Sequence, residues 1–184
     1  SKQLMSMIIK KRTNDPESFH NKPLDFLKLE EYQFFWDNLP NISKEKIIKR
    51  WNQPKDSIDL ENKGFSINGI NFGNICILIQ PSREYDSNSL KDIHSPDLPP
   101  PHRYLAQYYW IENKFKAHSI CHVGKHGTLE WLPGKSVGLS MECFPRIINP
   151  PVPVIYPFIV NDPGEGAQAK RRIHATIIDH LTPP

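Results

Sequence analysis

The sequence predicts an α/β fold in which a layer of parallel strands is flanked by helices. Two apolar runs, 74–80 and 119–123, have the length and continuity of strands buried on both faces. A segment with helical periodicity, 102–116, lies between them. A third extended run, 152–160, precedes a strong helix start, and this alternation of strands and helices favours parallel strands.

The N-terminal third of the chain has a different character. Residues 1–63 are polar and charged, and we expect a helical connector or cover segment there, separate from an α/β core over residues 64–184. Two helices are predicted in it, over 24–39 and 44–51, with Ser43 as the N-cap of the second. The apolar residues that suggest the first helix are Leu24, Leu27, Phe34, Phe35 and Leu39.

The last extended run and the helix after it carry clear boundary signals. Because prolines forfeit ladder hydrogen bonds, 152–160 is predicted to be an edge or irregular strand. Asp162 as N-cap, Pro163 at the first helical position and Glu165 in a capping box predict a helix start. The buried stripe of this helix is predicted to comprise Ala169, Ile173, Ile177 and Leu181, with the helix ending at Thr182-Pro183.

Composition excludes several classes of protein. The 184 residues carry 23 Lys and Arg against 20 Asp and Glu, and a net charge of +3 is too balanced for a nucleic-acid-binding surface. The basic triplet Lys170-Arg171-Arg172 is therefore expected to be a solvated surface. Three cysteines without a C-x-x-C pair argue against a zinc ribbon or disulfide framework, which suits a cytoplasmic protein. No apolar run approaches the roughly 20 residues of a membrane span.

The segment 122–136, which reads HVGKHGTLEWLPGKS, concentrates the chemistry of the chain. It follows a predicted strand, and ligands of α/β proteins bind outside the carboxyl ends of strands. His122, His126 and Glu130 are each four residues apart, which on a helix would place three metal ligands on one face. Since glycines interrupt the segment, a glycine-rich turn whose histidines cap backbone groups remains the alternative.

A P-loop is the other pattern that this segment suggests. Gly134-Lys135-Ser136 resembles the end of that motif. The motif also needs a glycine five residues before Gly134, and that position is Leu129, so the phosphate-cradling turn is not specified. We therefore exclude a P-loop.

Beyond spacing, the segment 122–135 closely resembles the large, tetrapyrrole-binding subunit of aerobic cobaltochelatase, which is sister to the large subunit of magnesium chelatase. Segments 157–172 and 180–184 resemble the same family, as do 79–86 and 96–106. The resemblance covers about two thirds of the chain, residues 64–184. The segment Glu130-Trp-Leu-Pro-Gly-Lys135 is closer to the cobalt branch, because the magnesium branch has Phe-Met in place of Trp-Leu.

The resemblance implies an ATP-dependent, three-component enzyme that inserts Co²⁺ into a corrin ring, hydrogenobyrinic acid a,c-diamide, in cobalamin biosynthesis. A separate pair of AAA+ motor subunits would hydrolyse ATP, in agreement with the absence of a P-loop here. Family chains are several times longer, so we expect this chain to be a piece of one. The alternatives are a magnesium chelatase acting on protoporphyrin IX, a non-catalytic scaffold or docking module, and a zinc-dependent hydrolase.

The resemblance also suggests roles for individual residues. Glu130 would deliver the metal and accept a proton, with His122 and His126 as metal ligands or proton shuttles, since imidazole suits Co²⁺. Cationic side chains would pair with carboxylates on the rim of the ring; these are Lys125, Lys135 and Arg83. Aromatic side chains would either pack on the macrocycle or belong to the core; these are Trp131 and Tyr104.

Overall fold

The computed structural model describes residues 23–58, 63–83, 95–124, 127–157 and 163–178. Within these ranges the strands are β1 (Asp25–Lys28), β2 (Gly64–Ile67), β3 (Gly69–Asn71), β4 (Cys76–Leu78), β5 (Ile120–Cys121), β6 (Val154–Pro157) and β7 (Ala175–Ile178). The helices are α1 (Leu29–Asp37), α2 (Asn41–Trp51), α3 (His102–Asn113), α4 (Phe144–Ile148) and α5 (Pro163–Ile173). None of the helices in the described ranges is long and apolar enough to cross a membrane.

A three-stranded parallel sheet in the order β5-β6-β7 forms the layer that the sequence predicts. Ile120 of β5 is opposite Val154 of β6, and Val154 is opposite Ala175 of β7. Helix α5 connects β6 to β7 and buries Ala169 and Ile173. The predicted α/β class with parallel strands and flanking helices is confirmed.

The positions of two segments in this sheet differ from the prediction. Strand β6 is central rather than an edge, because its prolines, Pro153 and Pro157, stand before the strand and at its last residue. Helix α5 ends at Ile173 instead of continuing to Leu181. His174 adopts a left-handed backbone with φ of 46°, and the β-branched run after it forms β7.

The run 74–80 does not join the parallel sheet. Its strand, β4, pairs antiparallel with β3, so Asn71 is opposite Cys76. The hairpin closes where the Phe72 N–H donates to the Ile75 carbonyl at 2.7 Å, around Gly73 with φ of 75°. The prediction of a parallel strand buried on both faces was wrong here, since a tight turn returns the chain at once and β4 is only half-buried.

The N-terminal segment contains a strand that the helical pattern did not predict. The first predicted helix is divided into β1 and α1, and α1 buries Tyr32 and Trp36 whereas Phe34 is 72% exposed. Helix α2 begins earlier than predicted. Ser43 lies inside it, fully buried, and donates its hydroxyl to the Glu142 carbonyl at 3.1 Å instead of capping the helix.

One hydrophobic core joins the N-terminal segment to the rest of the described chain. Strand β1 pairs antiparallel with β2, so Leu27 is opposite Phe65. Both side chains are buried with Tyr32 and with Leu105 of α3. Helix α3 confirms the predicted helix over 102–116, ending slightly earlier. The division at residue 64 stays a prediction, although β1 and β2 pair across it.

A buried histidine fixes the approach of α1 and α2 to α3. His102, at the start of α3, lies 2.9 Å through Nδ1 from the Tyr32 hydroxyl and 3.0 Å through Nε2 from the Asn52 carbonyl. Because a carbonyl only accepts, Nε2 carries the proton and Nδ1 accepts from Tyr32. Burial lowers the pKa of His102, which keeps the ring neutral.

Replacing Tyr32 by Phe should therefore lower the free energy of unfolding by about 1–2 kcal/mol, because the buried Nδ1 of His102 loses its donor. Tyr109→Phe is the matched control. That hydroxyl makes no hydrogen bond within the described ranges, and its loss should change stability by less than about 0.5 kcal/mol. Urea unfolding measures both. Equal effects of the two substitutions would contradict the His102 assignment.

Candidate active site

The residue predicted to be central, Glu130, lies in a single 3₁₀ turn, Leu129–Trp131. The residue before that turn is anchored from β4 and α3. Thr128 donates its backbone N–H and its hydroxyl to Gln80 Oε1, at 2.8 and 3.0 Å. The Tyr104 hydroxyl is 3.0 Å from the same Thr128 hydroxyl. The start of the turn is therefore fixed by side chains distant in sequence.

The far side of the turn is held by Arg172 of α5. Its two terminal nitrogens donate to the carbonyls of Glu130 and Leu132, each at 2.7 Å. The side chain is buried, with 6% of the residue exposed. A guanidinium can bind two carbonyls at once because its donors form a rigid fork. Arg172 thus fixes the backbone on both sides of Trp131.

The Glu130 carboxylate is buried and its two oxygens have different surroundings. The residue is 1% exposed. Oε1 accepts the Gly127 backbone N–H at 2.9 Å and the Tyr156 hydroxyl at 3.2 Å. Oε2 is buried without a hydrogen-bond partner among the described residues. Such an oxygen is costly, by about 1–3 kcal/mol or more, and in a native protein it calls for a functional explanation.

A cavity of about 270 Å³ lies beside this carboxylate, between β4, α3 and β5. Gly127 and Tyr156, both of which bind Glu130 Oε1, form part of its wall. His122 and Cys121 line it from the end of β5, and Cys76 lines it from β4. The carboxylate therefore lies directly behind the cavity wall.

His122 and Glu130 both contact Tyr156. The His122 and Tyr156 ring centroids are 5.6 Å apart. Burial lowers the pKa of His122 to about 4, so the ring is neutral at pH 7 and has a lone pair for a metal ion or a proton. Burial and then the Glu130 charge raise the pKa of Tyr156, so its hydroxyl stays a donor.

The predicted metal triad is only partly described. His126 and Lys125 lie outside the described residues, as do Asn161 and the predicted cap Asp162. Within the described ranges, no three His, Cys, Asp or Glu side chains lie close enough to share a metal ion. The metal-ligand roles of His122, His126 and Glu130 stay a prediction, as does the ring-binding role of Lys125.

The structure argues against the rim-binding role predicted for Arg83. This side chain is 1% exposed. It donates to the Trp131 carbonyl at 3.4 Å and to the carbonyls of Ser95 and Leu98 at 2.9 and 2.5 Å. Bound to these carbonyls, its guanidinium holds the 95–98 segment against the turn and has almost no exposed surface for a substrate carboxylate.

The other predicted binding residues have diverse surroundings. Tyr104 is fully buried and stacks on Tyr108 with centroids 5.3 Å apart, which agrees with the core alternative. Trp131 is half-buried and is not part of the cavity wall. Lys135 is exposed, and its backbone N–H donates to Cys143 Sγ at 3.3 Å. Its role at the rim stays a prediction.

Three residues of the site were missed in the sequence. Gln80 and Tyr156 stand at strand ends, and that position was the available signal. Arg172 was placed on a solvated surface with the rest of its basic triplet, which is wrong because the fold buries it against two carbonyls. Glu165, assigned to capping, is in the first turn of α5 and its charge contributes to the raised pKa of Tyr156.

Comparison with known proteins identifies the class to which this fold and site belong. The family model described as CobN/magnesium chelatase matches residues 1–184. The chain is 44% identical over 183 residues to the aerobic cobaltochelatase subunit CobN of Pseudomonas aeruginosa, and 34% identical over 175 residues to a magnesium-chelatase subunit of Chlorobaculum parvum. The matches cover 99% and 94% of this chain.

A solved structure, the catalytic subunit of cobaltochelatase from Mycobacterium tuberculosis, superposes with a TM-score of 0.81 and 38% identity over 98% of this chain. The chain belongs to the CobN/magnesium chelatase family. Membership extends over residues 1–184, beyond the segment 64–184 in which the motifs were found. The chain spans 15% of the Pseudomonas protein, 14% of the Chlorobaculum protein and 16% of the Mycobacterium chain.

Substituting Arg172 by Lys should destabilise the turn, because one ammonium cannot replace a fork bound to two carbonyls. We expect a loss of about 2–3 kcal/mol in the free energy of unfolding. Arg171→Lys, an exposed neighbour on α5, is the control and should be neutral. Urea unfolding, with hydrogen exchange of the 128–132 amides, measures both. If the two variants lose the same unfolding free energy and show the same hydrogen exchange, Arg172 does not hold the turn.

His122 should make the chain sensitive to mild acid. Its pKa is about 4 when folded and 6.5 when unfolded, so the unfolded chain binds the proton first. The stabilisation is complete above pH 6.5 and is lost as the pH falls towards 4, by at most about 1.4 kcal/mol per pH unit. Unfolding of His122→Asn across this window should show a shallower dependence. If the pH dependence of the free energy of unfolding is the same in both proteins, the His122 ring is exposed to solvent and is not buried.

Proposed function

We propose that this chain is the part of a cobaltochelatase large subunit that takes a proton from the corrin ring and directs Co²⁺ into it. The observation that carries the proposal is the buried Glu130 carboxylate behind the wall of a cavity. One of its oxygens is held by two donors, and the other has no hydrogen-bond partner among the described residues. Metal insertion requires a group that accepts a proton from the ring and a ligand that replaces water on the metal. A preorganised carboxylate supports both steps.

The second supporting group is His122. Its ring lines the cavity and is neutral at pH 7 because burial lowers its pKa. Neutral imidazole is a good ligand for Co²⁺. His122 would therefore hold the ion in the cavity while Glu130, behind the cavity wall, accepts the proton. The hydroxyl of Tyr156 keeps the carboxylate aligned between these steps.

The size of the cavity limits how the ring would bind. At about 270 Å³ it is below the usual range of roughly 300–1,000 Å³ for small-molecule sites, so a whole macrocycle would not enter. The ring would lie across the mouth, where Val123 is 80% exposed and apolar. Lys135 would reach a rim carboxylate, and the remaining contacts would come from other parts of the subunit.

Identity favours cobalt over magnesium. The chain is 44% identical to a subunit named for cobalt and 34% identical to one named for magnesium. We therefore propose a corrin substrate, hydrogenobyrinic acid a,c-diamide, and a cytoplasmic complex in which separate AAA+ subunits hydrolyse ATP. The magnesium–porphyrin reaction remains the second candidate, supported by the match to the Chlorobaculum protein. Family membership favours either reaction over a zinc hydrolase.

Glu130→Gln, made in the full-length subunit and assayed with its motor partners and ATP, should reduce kcat for cobalt insertion at least about 100-fold. The amide cannot accept a ring proton, but it preserves shape, so ring binding by absorbance should persist. Glu142→Gln, on the exposed surface, is the control. Cobalt insertion near the wild-type rate by Glu130→Gln, with the ring bound, would exclude the role proposed for Glu130.

The same assay distinguishes the candidate functions when each metal is offered with each ring. Cobalt insertion into the corrin alone supports the proposal. Magnesium insertion into the porphyrin would instead support the second candidate function, carried out by the same site. Ring binding without insertion of either metal would indicate a scaffold.

A further inference from the structure

We infer that the cavity binds a carboxamide arm of the ring, and that the side-chain amides of Gln107 and Gln80 recognise this arm. The inference rests on the proposed function, because it names the part of the substrate that enters the cavity while the macrocycle lies across the mouth. A cavity of about 270 Å³ is too small for the whole ring but has room for a short side arm.

Gln107 of α3 is a buried side chain with one end anchored and the other end unused. It is 5% exposed and lines the cavity. Nε2 donates to the Ile79 carbonyl at 3.1 Å, and because a carbonyl only accepts, this contact fixes which end of the amide is the oxygen. Oε1 accepts no hydrogen bond within the described residues, and unlike Glu130 Oε2 it is not completely enclosed by protein. It is therefore an acceptor available to a ligand in the cavity.

Gln80, which also lines the cavity, supplies a complementary donor. Its Oε1 accepts the Thr128 backbone N–H, which fixes the orientation of this amide as well. Nε2 gives one hydrogen to the Tyr108 hydroxyl at 2.8 Å and has a second that no described residue accepts. Ile79 and Gln80 are consecutive, as are Gln107 and Tyr108, so both amides connect the same stretch of α3 to the end of β4 at one wall of the cavity.

A primary carboxamide is the group that matches this wall. Its N–H₂ can donate to Gln107 Oε1, and its carbonyl can accept from Gln80 Nε2. A carboxylate matches only half of the pair, because at Gln107 two acceptors would face each other. None of the described residues that line the cavity is Lys or Arg, so a carboxylate entering it would lose water without gaining a cation.

The rest of the lining suits the hydrocarbon stem of such an arm. Apolar side chains form much of it; these are Leu78, Ile111, Phe115, Ala117 and Ile120. A few directional polar groups among apolar ones are usual in small-molecule sites. Gln107 and Gln80 are then specificity-determining residues, which favour a corrin diamide over protoporphyrin IX, whose acidic arms are carboxylates. The inference therefore bears on the choice between the two candidate rings.

Ring binding to the full-length subunit, titrated by absorbance without metal or ATP, tests the inference. Two ligands are compared: hydrogenobyrinic acid a,c-diamide, and the same ring with carboxylates in place of the two amides. We expect the wild-type subunit to bind the diamide at least about 10-fold more tightly, because the carboxylate leaves Gln107 Oε1 without a donor. A smaller preference, or none, would overturn the inference.

Gln107→Met removes the acceptor and keeps a side chain of similar length. We expect it to bind the diamide about 10-fold more weakly and the carboxylate ring as before, so that most of the preference is lost. Because a general loss of structure would weaken both rings alike, the ratio of the two Kd values separates recognition from folding. Gln33→Met, on α1 and outside the cavity wall, is the matched control and should keep the wild-type ratio. The wild-type ratio in Gln107→Met would exclude Gln107 from recognition.

The binding measurement does not depend on the chemistry assigned to Glu130, so the two proposals can fail separately. If the subunit distinguishes the two rings but Glu130→Gln inserts cobalt at the wild-type rate, the carboxamide site stands and the proposed role of Glu130 is wrong. If Glu130→Gln is inactive but the two rings bind equally well, the carboxamide site is wrong and the proposed function stands.

Discussion

The site depends above all on the bidentate contact of Arg172 with the carbonyls of Glu130 and Leu132. A single turn of 3₁₀ helix has few hydrogen bonds of its own and does not hold its geometry in isolation. The guanidinium connects that turn to α5, while Gln80 connects it to β4. The direction of one carboxylate is therefore set by elements far apart in the sequence. The buried guanidinium that does this is hydrogen-bonded to backbone carbonyls.

This framework makes the two oxygens of Glu130 chemically unequal. Oε1 is fully occupied by a backbone amide and by Tyr156, whose raised pKa keeps its proton in place. Oε2 lies in the same low-exposure environment and accepts no hydrogen bond from the part of the chain that the structure describes. A fold that leaves a buried acceptor unsatisfied forgoes stability, and such losses concentrate at functional sites. The neutral His122 beside Tyr156 extends this arrangement to the cavity.

Sequence patterns predicted the parts of this molecule that depend on local or repeated signals. Helix α3 and the parallel layer follow from periodicity, and the family follows from its motifs. Strand β7 was not predictable from the sequence. It depends on the left-handed backbone of His174, and the helical spacing of Ala169, Ile173 and Ile177 suggested a continuing helix instead. Burial of Arg172 likewise depends on carbonyls that only the folded chain brings near. The four-residue spacing pointed to Glu130 and His122. Tyr156, which contacts both, belongs to no such sequence pattern.

The pairing of β1 with β2 has a consequence for exchanging parts between relatives. Leu27 and Phe65 face each other across residue 64, in a core shared with α1 and α3. A chimaera joined at that residue would set side chains from one lineage against a sheet partner from another. Interiors tolerate such mismatches poorly, because packing is close to crystal density. A hybrid of the cobalt and magnesium branches would therefore have to take both strands from the same parent to keep this core intact.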